Sequence, residues 1–181
     1  MAVVSLPTAD GGVEEYEAGE PLEFVTSAAG AFPRIAYSAA HVVSDPYADC
    51  DPWLETAIDW DATIEYRRHL WSLGMGVAEA MDTAQRGMGL DWPTSLELIK
   101  RSVDAAKDFG EGALIASGAG TDHIAPDPSL TVDDIIAAYE EQCAAVEAAG
   151  GRIILMASRA LAAAAKTPDD YAKVYARVLG Q

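Results

Sequence analysis

The chain reads as an α/β protein of the (β/α)8, TIM-barrel type, with about four βα units present, a half barrel, preceded by an N-terminal β-hairpin. Three observations predict this. Glycines at Gly74 and Gly76, Gly110 and Gly112, and Gly150 and Gly151 recur roughly every 38 residues, which suits one βα unit. Capped amphipathic helices alternate with short apolar runs, as expected for parallel strands buried on both faces. Polar residues gather where those runs end: His41, Asp82 with Thr83, Asp122 with His123, and Ser158 with Arg159. Barrel active sites form at that C-terminal face. A doubly wound sheet is the alternative, but it usually holds ligands through a phosphate fingerprint such as GxGxxG, which GAGTDH lacks.

The elements follow in order. Residues 1–30 form a hairpin and lead-in, because AVVSLPTADGGVEEYEA alternates in two runs around Asp10, Gly11 and Gly12. Residues 31–181 carry the βα units. RIAYSAAHVV (34–43) is the first strand, and the loop DPYADCDPW follows. Asp59 is placed to cap a helix that buries Ile64, Leu70, Trp71 and Leu73. MGVAEAMDT is the second strand. The next helix has Pro93 in its first turn, Thr94 and Glu97 at capping-box spacing, and a stripe of Leu96, Ile99, Val103 and Ala106. GALIASGAG (112–120) is the third strand. Thr131 with Asp134 caps the following helix, with Leu130 and Ile135 as a hydrophobic staple and a stop at Gly150 and Gly151. GRIILMASR is the fourth strand, the run ALAAAA (160–165) is good helix former, and Thr167 with Pro168 opens the last helix.

Composition narrows the function. The 181 residues are half hydrophobic, enough for a packed core. With 12 basic against 29 acidic residues the formal charge is −17, and the adjacent basic residues are just Arg67 with Arg68 and Lys100 with Arg101, so nucleic acid and anionic membranes are poor partners. No cationic apolar leader or membrane-length apolar run is present, and Cys50 and Cys143 lack CxxC spacing, so the expectation is a cytoplasmic protein with free thiols.

The densest polar stretch is GVAEAMDTAQRGMGLDW (76–92). Asp82 could orient a substrate, bind a metal, or cap a short turn. Arg86 could clamp a carboxylate in bidentate fashion or form a surface ion pair. Glu79 alternates with Val77 and Met81, opposite to Asp82, and if buried it needs a partner. His41, in strand phase with Tyr37 and Ala39, forms with Asp82, Asp122 and His123 a possible Zn or Mn set, although no HxH or HExxH is present and a structural histidine is the simpler account. Trp53, Trp60, Trp71 and Trp92 suit core or interface, with Trp92 also able to roof a pocket.

RIAYSAAHVVSDPYADCDPWLETAIDWDATIEYRRHLWSLGMGVAEAMDTAQRGMGLDWPTSLELIKRS, with GAGTDHIAP and GGRIILMASRALA, resembles the N-terminal half of an uncharacterised family of DUF993 type, grouped with dihydrodipicolinate synthase and N-acetylneuraminate lyase. The resemblance covers essentially the whole chain. It implies a lyase or aldolase acting on a small oxo-acid, without a cofactor or metal. The turn that grips the keto-acid carboxylate would be MDTAQRG, which departs from the aldolases' Gly-Thr-Thr-Gly-Glu pattern, with Thr83 alone matching.

Two further departures matter. The aldolases' Schiff-base lysine sits on a later barrel strand, whereas Lys100, Lys107, Lys166 and Lys173 all fall in helices or at helix starts. The nucleophile would then lie beyond Gln181. The strand-four tyrosine is replaced by Ser158 and Arg159 in LMASRALA. The sequence therefore assigns Asp82 and His41 to catalysis and Thr83, Arg86, Asp122, His123, Ser158 and Arg159 to substrate binding. A metal-dependent barrel enzyme and a non-catalytic half barrel or truncated protein that pairs with a partner are the alternatives. Four parallel strands leave two open edges, so a homo-oligomer or the remaining half of the barrel is the expected partner.

Overall fold

The computed structural model describes residues 2–24, 34–52 and 54–180, so Trp53 and most of the lead-in into the first βα unit lie outside it. β1 (Val3–Pro7) and β2 (Val13–Glu17) pair antiparallel with Val3 opposite Glu17, which is the hairpin read from the sequence. Its turn is held by Asp10, whose carboxylate accepts from the Thr8 hydroxyl and from the Gly12 N–H. Both strands are exposed along their whole length.

The body is a parallel sheet of β3 (Tyr37–Ala39), β4 (Gly76–Glu79), β5 (Ile115–Ala119) and β6 (Ile153–Leu155), in that order. Chain order and spatial order coincide, so every crossover steps one strand in the same direction. With right-handed crossovers, α1 (Trp60–Ser72), α2 (Trp92–Phe109) and α3 (Val132–Ala148) must lie on one face. Their mutual contacts, α1 with α2 and α2 with α3, agree. The order reversal of a doubly wound sheet does not occur among these strands.

Register decides which residues meet the helices. Val77 aligns with Ile115, Glu79 with Ser117 and Ala119 with Leu155, all on the helix side. Val77 packs with Leu70 and Trp71 of α1 and with Ala105 and Ala106 of α2. Tyr37, Ala39, Gly76, Ala78, Ala116, Gly118 and Ile154 share the opposite face. Tyr37 remains 41% exposed there, lying where any side chain at Gly76 would need to go.

Local signals account for the helices. Asp59 caps α1 by accepting from Ala62 N, and Thr131 and Asp134 form a reciprocal capping box at α3. α2 differs from its expected start: Asp91, not Thr94, is the cap, accepting from the Thr94 N–H. Leu98 rather than Leu96 joins Ile99 and Val103 in the core, where each buried aliphatic side chain is worth about 1.5–3 kcal/mol. The alanine run forms α4 (Arg159–Ala164), and α5 (Pro168–Leu179) packs Val174 and Val178 into the main core against α3. Lys173 with Asp133 and Arg177 with Glu140 pin that contact at the surface.

The first strand is shorter than RIAYSAAHVV predicts. Beyond Ala39 the chain leaves the ladder, because Val43 gives its N–H to the Thr63 hydroxyl and its carbonyl to Asp59 N. The loop after it returns to its origin through Asp45 N and Ala57 O.

Glu79 finds its partner in Arg67 on α1. Nε and Nη2 of Arg67 donate to the two carboxylate oxygens at 2.8 and 2.9 Å, with both side chains fully buried. Arg67 also donates to the carbonyls of His41 and Thr63, and Glu79 accepts from Ala80 N at 2.8 Å. The pair thus joins α1 to the ends of two strands and holds Ala80, whose φ is +50°. Removing one partner of such a pair leaves an uncompensated buried charge. Glu79→Ala is expected to lower stability by about 3–5 kcal/mol in urea unfolding, against less than about 1 kcal/mol for the exposed pair changed in Glu97→Ala.

Candidate functional site

A cavity of about 330 Å³ opens at the C-terminal ends of β4, β5 and β6. Asp82, Arg86, Asp122, His123 and Arg159 line it together with Thr121. These come from three segments that follow strand ends and are separated by tens of residues, and the parallel sheet brings them together because it delivers every strand end to the same side.

Arg86 is the hub, and its guanidinium is fully buried. Nη1 donates to the carbonyls of Gly118 (2.6 Å) and Ala80 (3.1 Å), Nη2 to Asp122 Oδ1 and Gln142 Oε1 (2.6 Å each), and Nε reaches Asp122 Oδ2 at 3.4 Å. Every N–H of the fork has an acceptor. Gly118 makes room for it: a Cβ there would come within 2.5 Å of Met156 Sδ, 2.9 Å of the Ala80 carbonyl and 3.1 Å of Arg86 Nη1. Trp92 closes the other side, with the Arg86 Cζ 5.1 Å from its ring centre.

Gln142 reaches in from α3. Its Oε1 accepts from Gly120 N at 2.7 Å as well as from Arg86, and its Nε2 bonds Asp122 Oδ1 at 3.1 Å and His123 Nδ1 at 2.8 Å. Sequence reading missed this residue. The available signal was its position in the apolar stripe of α3, between Ile135, Ala138 and Tyr139 on one side and Val146 on the other.

Asp122 shows the electrostatic balance. Burial is the largest single influence and pushes its carboxyl up, but the Arg86 charge with hydrogen bonds from Arg86 and Gln142 outweighs it and holds the group below the usual range. Tyr139, whose phenol is pushed up chiefly by burial, stays a donor and anchors the end of β6 through the Met156 carbonyl at 2.6 Å.

The remaining candidates divide. Ser158 caps α4 by accepting from Leu161 N and shares a 2.6 Å hydrogen bond with Thr121, so it is buried below the cavity wall. Arg159 is exposed, and its one hydrogen bond among the described residues goes to Gly87 O at 3.3 Å. Gly87, at φ +66°, has no side chain where Arg159 crosses toward Asp122. Asp82 and Thr83 lie exposed on a 3-10 turn, Asp82–Ala84, which Asp82 closes with its backbone carbonyl rather than its side chain. Asp82 lines the cavity and Thr83 does not.

His41 stands apart, on a second cavity of about 530 Å³ between the loops after β3 and β4, donating Nδ1–H to Val42 O. Among the described residues no three His, Cys, Asp or Glu side chains converge as metal ligands. A third cavity, of about 510 Å³, shares Gly87, Asp122 and His123 with the first, and Trp92 lines it. All four lysines are exposed and none lines these cavities.

These features define an α/β protein whose parallel strands end at a polar, ligand-sized cavity. The chain belongs to the DUF993 family: the model of that family, described as a protein of unknown function, matches residues 4–181. No curated protein matches it. Among the described residues no helix is long and apolar enough to cross a membrane.

Because the Asp122 carboxyl is held below its unfolded value, the stability it supplies is whole above the ordinary carboxylate range and is lost as pH falls through the folded value. Wild type is expected to exceed Asp122→Asn by about 1–3 kcal/mol at pH 7, with the gap narrowing below pH ~4. Urea midpoints across that range measure it, and a gap independent of pH would refute the charge balance at Asp122.

Proposed function

We propose that the cavity at the ends of β4, β5 and β6 binds a small oxo-acid, and that the chain forms the N-terminal half of a (β/α)8 barrel of the dihydrodipicolinate synthase and N-acetylneuraminate lyase superfamily. The observation that carries the substrate class is Arg159. It is an exposed guanidinium on the cavity wall whose one hydrogen bond among the described residues is long, so in a protein of charge −17 it offers an anion local positive charge at the mouth. Arg86 has its donors filled by protein acceptors, so in this reading it holds the walls while Arg159 takes the carboxylate. Thr121 and His123 line the same space and offer polar hydrogens to an oxo group. Asp82, exposed and without a side-chain partner among the described residues, orients the substrate or a water, with Thr83 beside it on the same turn.

The sequential parallel order and the single layer of helices support the barrel reading, since both are what a barrel's first strands display. β3 and β6 each have one neighbour among the described residues. A second copy or a second half barrel would pair those edges. Imine chemistry would need its lysine from that completing half. Because every lysine of this chain lies away from the cavity, binding without turnover is the second reading.

The test is calorimetric titration with 2-oxo acids, beginning with pyruvate. Arg159→Ala is expected to weaken binding about 10- to 100-fold, and Arg159→Lys by less. Unchanged affinity in Arg159→Ala would remove the carboxylate assignment.

A further inference from the structure

We infer that Gln142 is a positioning residue that fixes His123 as its Nε2–H tautomer, so that this imidazole presents a hydrogen-bond donor at the wall the two mouth cavities share. The tautomer stands on hydrogen-bond logic alone. The use of that donor on an oxo group rests on the function proposed above.

The chain of reasoning starts at two groups that can only donate. Arg86 Nη2 and the Gly120 backbone N–H point at one end of the Gln142 amide, at 2.6 and 2.7 Å. Neither accepts, so that end is the carbonyl oxygen and the amide has one permitted orientation. Its NH2 then faces Asp122 Oδ1 at 3.1 Å and His123 Nδ1 at 2.8 Å. One proton goes to each. Nδ1 of His123 must therefore carry the lone pair, and the ring proton resides on Nε2. Gln142 is fully buried, so water does not compete for these positions.

On the far side of the ring, Nε2 meets Glu141 Oε2 at 3.4 Å, a long contact to a side chain that is largely exposed. An incoming ligand oxygen can replace it. His123 also stacks obliquely on Trp92, with ring centres 6.5 Å apart, which limits rotation of the imidazole. Ligation of a metal through Nε2 needs the lone pair at that nitrogen, and the amide proton of Gln142 stands against it. His123 is thus a donor that can polarise a carbonyl.

His41 supplies an internal reference, because its Nδ1 donates to the Val42 carbonyl and it is the opposite tautomer. Long-range proton–nitrogen correlation spectra of the uniformly 15N-labelled chain read both rings at once, with His123 assigned by its disappearance in His123→Asn. The expected wild-type result is His123 Nε2–H over Nδ1–H by roughly tenfold or more, the weight of one buried unsatisfied donor. Gln142→Glu keeps an oxygen for Arg86 and Gly120 and puts an acceptor where the NH2 stood. The His123 pattern is then expected to reverse to Nδ1–H. A wild-type ring protonated at Nδ1 overturns the proposal without any variant, and an unreversed pattern in folded Gln142→Glu overturns the role of Gln142. Pyruvate titration of Arg159→Ala, read separately, decides the oxo-acid reading, so the two ideas can fail independently.

Discussion

The buried guanidinium of Arg86 sets the terms for the rest of the mouth. A charge taken out of water is tolerated only when its donors are met and a counter-charge is close, and here the acceptors come from the ends of β4 and β5, the loop beyond β5 and helix α3. Each neighbour is shaped by that demand. Gly118 lacks a side chain because the guanidinium lies over it, Asp122 stays ionised beside it, and Gln142 turns its oxygen toward it. A second buried pair, Arg67 of α1 with Glu79 of β4, does the same work for the ends of β3 and β4. The strand ends are therefore tied by charge, while the helices, beyond the polar links of Arg67 on α1 and Gln142 on α3, are tied to the sheet by apolar packing.

This division separates rigid from accessible groups. Arg86, Gln142 and Ser158 are buried and bonded. Asp82, Thr83 and Arg159 are exposed and carry few obligations to the protein. His123 lies between, held at one ring nitrogen and reachable at the other. A binding site needs both kinds: groups that keep geometry and groups that meet the ligand.

What could be read from the sequence follows the range of the interactions. Caps at Asp59, Thr131 and Thr167 were legible because a cap involves residues three apart. The helix of the second βα unit was legible because Ile99, Val103 and Ala106, all buried, repeat at helical spacing. At α2 Pro93 does sit in the first turn as read, but the cap is Asp91 rather than Thr94, since both are competent caps and having Trp92 and Pro93 inside the helix chooses between them. Of the site, the strand-end clustering of Asp82, Arg86, Asp122, His123 and Arg159 was visible, but the wiring was not. Arg86 meets Asp122 across 36 residues and Gln142 across 56, distances at which no local pattern survives. His41 illustrates the converse: strand phase placed it with the others, and an early exit of β3 from the ladder carried it to a different cavity.

The glycine beneath Arg86 has a consequence for how such a protein can diversify. Any side chain at Gly118 collides with the guanidinium, the Met156 sulfur or a backbone carbonyl, and any loss at Arg86 strands Asp122 and Gln142 together. These positions can change only in concert, through intermediates that fold poorly. The solvent-facing residues carry no such coupling, so single substitutions at Asp82, Thr83 or Arg159 explore new ligands at little cost to the fold. Innovation in this architecture is channelled to the rim, and the hub acts as a ratchet against drift.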